Sequence, residues 1–216
     1  IVGTAVGRDE NGNFLVNDAG RYVIVEQDNE GDVPIIGDAI PDYTMNFFNT
    51  FSYKNWNLGF QVQHVKGGDI MSSTIATLLG RGLITETVNR ENTYILPGVN
   101  QTTGEVNTRQ INNSTYYFNN LLFGPAEMKI YDASVIRLQE VSLSYSFPKK
   151  YLDNTPFGSL TLTAQGFNLW YDAYNTPDGA NFDPNVAGIG IGNGRGFDFM
   201  NGPSQRRYGL TVRASF

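Results

Sequence analysis

The side chains able to make or break bonds are few and scattered. The chain of 216 residues has one histidine and no cysteine. His64 therefore lacks the His or Cys neighbours that a metal or thiol site needs. It also continues an apolar row, which points to a rim position rather than a catalytic base. The run "GIGIGNGRG" (188–196) has the glycine density of a phosphate loop. A G-x-G-x-x-G fingerprint would need glycine at 193 or 195, where Asn193 and Arg195 stand, and no P-loop lysine follows. It reads as a surface loop. "DENGN" (Asp9 to Asn13) and "DNEGD" (Asp28 to Asp32) are acidic enough to suggest calcium, but neither has the twelve-residue pattern with its distal Glu. They read as acidic turns. Nothing in the spacing of the remaining carboxylates selects a glycosidase pair. No enzymatic activity, metal site or cofactor is expected. The loop aromatics Tyr116, Tyr117, Tyr174 and Phe182 remain as candidate substrate-binding residues, flat platforms for a sugar.

The elements that would carry these residues are strands. Gly at 24 residues, Tyr at 12 and aromatics at 13% favour β structure with many turns. No apolar run reaches the ~18 residues of a membrane helix, but a barrel strand needs only ~9–11 alternating residues. A net charge of −6 argues against nucleic acid, which calls for a basic stripe. The start "IVGTAVGRDENG" has no basic, apolar and cleavable signal pattern, and Ile1 is not Met. The chain is expected to be a processed or truncated piece.

Five segments alternate with period two, at about 43–54, 56–66, 134–147, 159–171 and 205–216. The first two are joined at Lys54-Asn55 and read as a hairpin. The fourth loses phase near Phe167-Asn168-Leu169-Trp170, which predicts a β-bulge. Strands of ~11 residues are twice the usual soluble length. Their apolar face is opposed by amides and hydroxyls rather than Lys and Glu, as expected of a barrel wall with lipid outside and water inside. The lipid-facing set is Tyr43, Met45, Phe47, Phe51, Tyr53, Trp56, Leu58, Phe60, Val62, Val141, Leu143, Tyr145, Phe147, Leu160, Leu162, Tyr208, Leu210, Val212, Ala214 and Phe216. The inward set is Asn46, Thr50, Gln61, Gln63, Ser142, Ser144, Thr161, Gln165, Thr211 and Arg213. Tyr53, Trp56, Tyr145, Phe147, Trp170, Tyr171 and Tyr208 are expected to form interfacial girdles. Connections alternate short and long, and the long ones (1–42, 67–133, 171–204) would lie outside the cell. Within them are expected a hairpin at Asn11-Gly12, a short helix in "DIMSSTIATLLG" and a polar loop in "GVNQTTGEVNTRQINNSTYYFNN".

Four blocks resemble the C-terminal part of SusC/RagA-type TonB-dependent outer-membrane transporters. "IIGDAIPDYTMNFFNTFSYKNWNLGFQVQHVKGGDI" resembles the family's P-D-Y/W entry, strand, "YK" turn and next strand ending in "GGD". "VIRLQEVSLSYSFPKKYL" and "LTLTAQGFNLWYDAYNTPDGANFDPNV" resemble its L-R-L strand and its G-x-N-L strand with a "DP" loop. The tail "QRRYGLTVRASF" resembles its aromatic-ended last strand, so the carboxyl end is expected to be native. Residues 33–216 carry the match. "VIRL" departs from the usual aromatic before Arg137-Leu138, and the plug domain and TonB box are absent. The resemblance implies an all-β fold, five C-terminal antiparallel strands of a 22-stranded barrel in the outer membrane of a Gram-negative bacterium. Residues 1–216 would be part of one barrel domain. It implies import of oligosaccharides or peptides. The implied partners are the rest of the barrel and its plug, a SusD-like lid lipoprotein, the TonB complex and outer-membrane lipid. Alternatives are a siderophore-type TonB receptor, a passive porin and, from another class, a secreted carbohydrate-binding β-sandwich.

Overall fold

A computed structural model describes residues 1–185 and 196–216. The alternating segments fold as strands β1 (Tyr43–Tyr53), β2 (Trp56–Lys66), β3 (Val135–Ser146), β4 (Ser159–Asp172) and β5 (Arg207–Ser215). They pair antiparallel in chain order as one five-stranded meander. β1 stops at Tyr53 because Lys54 takes a φ of 53° to turn the chain. Pro148, which has no amide hydrogen, follows the end of β3.

Register fixes the faces, because residues directly opposite in an antiparallel pair point the same way. Phe47 lies opposite Val62, Phe51 opposite Leu58 and Tyr53 opposite Trp56. Leu58 then meets Leu143, Trp56 meets Tyr145, and Tyr145 meets Leu162. Leu162 meets Val212, and Leu160 meets Ala214. One apolar face thus runs unbroken across all five strands. Among the described residues no second sheet covers it. Phe47, Phe51, Leu210 and Val212 stay 53–70% exposed. A sandwich would bury this face, so that alternative fails.

The expected bulge is present, and it involves both strands. Gln139 is an extra residue of β3, since Leu138 faces Val62 while Glu140 faces its neighbour Gln61. On the other side Leu138 faces Trp170 and Glu140 faces Phe167, which leaves Asn168 and Leu169 inserted in β4. Asn168 has a φ of 53°. Leu138 and Val141 are three residues apart, and strict alternation would split them between faces. The insertion returns both to the apolar side and keeps Arg137 with Glu140 and Ser142 on the polar side.

The three long connections interweave into a cap over one end of the sheet. Ala5–Val6 pairs with Ile24–Val25, Leu15–Val16 with Val99–Asn100, and Thr93–Ile95 with Gln110–Asn112. Asp69–Ser72 pairs with Ile130–Asp132 on one side and Phe197–Asp198 on the other. Helix α1 (Ser73–Gly80) follows, capped by the Ser72 hydroxyl, which accepts from the Ile75 amide. The expected helix is therefore shorter at its start, and Ile70 sits in a strand. Ile70, Ile75, Leu79, Tyr117, Leu121 and Phe182 nevertheless share one core. Val6, Val16, Tyr22, Leu96 and Ile111 form a second. The stretch 98–120 is not simply a polar loop. Its buried Asn120 accepts from the Tyr22 amide and donates to the carbonyls of Gly20 and Thr115.

The bulge yields a prediction. Inserting an alanine between Glu140 and Val141 adds a residue outside the bulge and sends Val141, Leu143 and Tyr145 to the polar face, whereas deleting Gln139 would keep them in place because Leu138 and Glu140 already face consecutive residues of β2. With the insertion the sheet of the full-length protein should be lost, read as protease sensitivity, whereas Gln139→Ala keeps the residue count and should keep resistance.

Candidate functional site

The polar face is a ladder of amides and hydroxyls that satisfy one another across strands. Gln61 donates to Asn46 Oδ1 (3.3 Å) and to Gln139 Oε1 (2.8 Å), and Gln63 donates to Asn46 Oδ1 (3.2 Å). Further along, the hydroxyls of Ser144 and Thr163 share a bond at 2.8 Å, as do Ser146 and Thr161 at 3.2 Å. Thr211 and Arg213 lie in the same row, opposite Thr163 and Thr161. Phe48 interrupts the pattern: it faces Gln61 on the polar side and is 67% exposed. A surface made mostly of amides and hydroxyls holds water and polar solutes, with few charges among them: Glu140, Arg207 and Arg213 beside Arg137.

Where this wall meets the cap, Arg137 and Asp183 form a buried ion pair. Both are 3% exposed. The guanidinium grips the carboxylate with both ends, Nη2 to Oδ1 at 2.8 Å and Nη1 to Oδ2 at 3.3 Å. The Asn185 amide also donates to Oδ1. Arg137 projects from the polar face of β3, and Asp183 comes from the "DP" connection after β4. The pair therefore pins that connection to the wall. Two cavities of about 290 and 310 Å³ flank it, and Arg137 and Asn185 line both. The second also exposes Gln61, Gln139, Glu140, Phe167 and Arg207. Nothing in the sequence singles out Asp183 as the partner of Arg137, which shares the polar side of β3 with a second charge, Glu140.

Aromatic rings gather at the strand ends. At the short-turn end Trp56 and Tyr145 have ring centroids 4.6 Å apart, and Tyr145 and Phe147 5.1 Å. Phe216 packs on Phe157 at 5.4 Å. Trp170 is on the apolar face opposite Leu138, but Tyr171 is not, because it faces Arg137. Its hydroxyl donates to the Asn181 carbonyl at 2.5 Å, tying down the same connection from the polar side. The bulge is the reason: Trp170 and Tyr171 are adjacent and must take opposite faces.

His64 lies at the capped end of the apolar face, opposite Met45. Its Nε2 is 3.0 Å from the Tyr174 hydroxyl and its Nδ1 3.5 Å from that of Tyr43. Tyr174 thus belongs to this rim cluster, away from the other expected substrate-binding aromatics. Tyr117 and Phe182 are buried at 6% in the first cap core, and Tyr116 stacks on Tyr94 at 4.2 Å. Burial pushes the Tyr22 phenol up to about 12 and raises those of Tyr116 and Tyr117 as well. These rings pack the cap, and the four do not meet at one open surface.

The acidic turns have a structural task. In each, an Asp accepts from two amides ahead of it: Asp9 Oδ1 from Asn11 and Asn13, and Asp28 Oδ1 from Glu30 and Asp32. The Asn17 side chain does the same with Ala19 and Arg21. All three place glycine fourth, with φ of 83°, 72° and 86° at Gly12, Gly20 and Gly31. The shared pattern Asx-x-x-Gly-x was visible in the sequence as a turn signature. The side-chain amide of Asn13 and its backbone amide hold the Asp9 carboxyl below its ordinary range. Among the described residues no three His, Cys, Asp or Glu side chains gather as metal ligands. The glycine run 188–196 lies, but for Gly196, outside the described residues.

The buried pair can be tested. Arg137→Met leaves Asp183 charged and unpartnered and should cost about 3–5 kcal/mol in chemical denaturation of the full-length protein. Asp183→Leu added to it should restore much of that loss.

No family model matches the chain. Two curated relatives from Formosa agariphila are similar in sequence. TonB-dependent receptor P3 is 28% identical over 158 residues, which are 71% of this chain and 14% of that receptor. TonB-dependent receptor P26 is 26% identical over 225 aligned positions, covering all of this chain and 20% of that receptor. The chain therefore spans a fifth or less of the length of these relatives. Solved structures of the RagAB peptide importer in its closed-closed and open-open states match all of this chain with 22% of their own, at TM-scores of 0.51 and 0.53. Their sequence identity is 16%, so that likeness is one of fold. The chain is a β-barrel segment related in sequence to TonB-dependent receptors, with the fold of the SusC/RagA-type transporters that its sequence blocks resemble.

Proposed function

We propose that these residues form part of the wall and outer cap of an outer-membrane nutrient importer in a Gram-negative bacterium. The observation that carries the reading is the apolar face: exposed, continuous over five strands and opposed by a polar ladder made mostly of amides and hydroxyls. A face of this extent in water would be an aggregation site. In a bilayer it is the wall. A strand of eleven residues at ~3.4 Å per residue is about 34 Å long, and tilted by ~40° it crosses about 26 Å, the height of a barrel's apolar band. The twenty residues named above then face lipid, and the polar ladder faces the lumen or plug. The short turns at 54–55 and 147–158 lie in the periplasm and the cap lies outside.

Among the described residues the outermost strands β1 and β5 each pair on one side only. Unpaired backbone groups in hydrocarbon cost several kcal/mol each. The remaining strands of a 22-stranded barrel, with its plug, would close both edges. A SusD-like lipoprotein would cover the cap, and the TonB complex would drive uptake of oligosaccharides or peptides. A siderophore receptor or a porin shares this wall. Relatedness to TonB-dependent receptors favours energised import over a porin, and the fold of a peptide importer favours the SusC/RagA type over siderophore uptake.

In the full-length receptor, Val212→Arg places a charge on the lipid side and should cost roughly 2–4 kcal/mol at the midplane, seen as failed insertion into vesicles. Thr211→Arg, one residue away, should insert normally. Equal defects in the two would refute the assigned faces.

A further inference from the structure

We infer that the short-turn end of the sheet binds the headgroup phosphates of anionic phospholipids, and that it does so through Lys54, Lys149 and Lys150. The inference rests on the membrane reading above. The two turns that hold these lysines are bonded to each other. The Asn55 side chain donates to the Ser146 carbonyl at 2.6 Å, and the Ser146 amide donates to the Asn55 carbonyl at 2.9 Å. This sets the Lys54 turn beside the Lys149–Tyr151 turn.

Two of the three lysines lie over aromatic rings at this end. Lys54 Nζ lies 5.2 Å from the ring centre of Tyr53, and Tyr53 shares the apolar face with Trp56. Lys150 Nζ lies 4.8 Å over the ring of Tyr151, which is 61% exposed. Ammonium groups held over amphipathic rings at the edge of an apolar belt sit at headgroup depth. Among the described residues the ion pairs are Arg8–Glu127 and Arg137–Asp183, so none of the three lysines is neutralised by a carboxylate in contact. The turns hold one carboxylate, Asp153, against the three lysines.

Charge complementarity then selects the partner. A phosphodiester is an anion with strong acceptor oxygens, and a basic cluster at a membrane surface attracts it. The capped end would repel it, since residues 1–42 hold nine carboxylates against two arginines. The two leaflets therefore meet opposite charge, and anionic phospholipid would gather at the turn end.

The test uses the full-length receptor in detergent, doped in separate arms with phosphatidylglycerol or phosphatidylcholine, with bound lipid read by native mass spectrometry. Phosphatidylglycerol should be retained in preference to phosphatidylcholine, and an equal concentration of inorganic phosphate should not displace it. The K54Q/K149Q/K150Q variant should lose about fivefold or more of that retention. Arg21→Gln on the cap should lose none. Unchanged retention in the triple variant, equal retention of phosphatidylcholine, displacement by free phosphate, or a loss with Arg21→Gln would each overturn the inference. Insertion into phosphatidylcholine vesicles is measured alongside. A receptor that inserts without preferring phosphatidylglycerol overturns this inference alone, and one that fails to insert overturns the membrane reading.

Discussion

The two-residue period of the strand backbone constrains everything else in this chain. A strand can offer one face to each of two environments, and a slip of one residue exchanges them. Here the cost of a slip is high, because one face is nearly all apolar and the other is nearly all amide and hydroxyl. The Gln139 bulge and the insertion at Asn168-Leu169 show the constraint at work. They take up residues that would throw a strictly alternating strand out of phase, and the apolar row continues across them. Backbone hydrogen bonding supplies the second half of the constraint. In a bilayer every strand needs a neighbour on both sides.

The cap follows from where the strands end. Its segments are too short and too polar to fold alone, and each is held by the others. Leu15–Val16 is completed by Val99–Asn100, and Asp69–Ser72 by Phe197–Asp198. Buried polar groups act as fasteners: Asn120 bridges residues 20–22, and Asp198 accepts from the Ser72 hydroxyl and the Thr74 amide. The Arg137–Asp183 pair connects this layer to the wall. Its buried fork geometry suits orientation more than stability, since an apolar replacement of both partners could hold as well.

The wall was legible in the sequence because its signal is local. Alternation from Tyr43 to Lys66 and from Val141 to Phe147 needs no knowledge of the rest of the chain, and the faces followed directly. The bulge at 167–170 was visible as a loss of phase, whereas its counterpart at Gln139 was masked because Gln139 and Glu140 are both polar and either could be the extra residue. Tyr171 was misplaced because counting from strand ends ignores the face that a bulge selects. The cap was illegible for a different reason. Three of its five pairings join residues about 60 to 126 positions apart, and strands of two to four residues carry no readable period. Tyr117 and Phe182 looked like ligand platforms because they lie in polar surroundings in sequence, while in space they meet Ile75 and Leu79.

The claim that lipid covers one face and water the other is tested most directly by single cysteines, which this stretch otherwise lacks. Cysteines placed one at a time at Leu58, Leu143, Leu162, Gln63, Ser142 and Thr211 of the full-length receptor in vesicles would be exposed to a membrane-impermeant maleimide. The account predicts that the first three stay unlabelled and the last three react. Labelling that ignores the alternation, or that reverses it, would contradict the account.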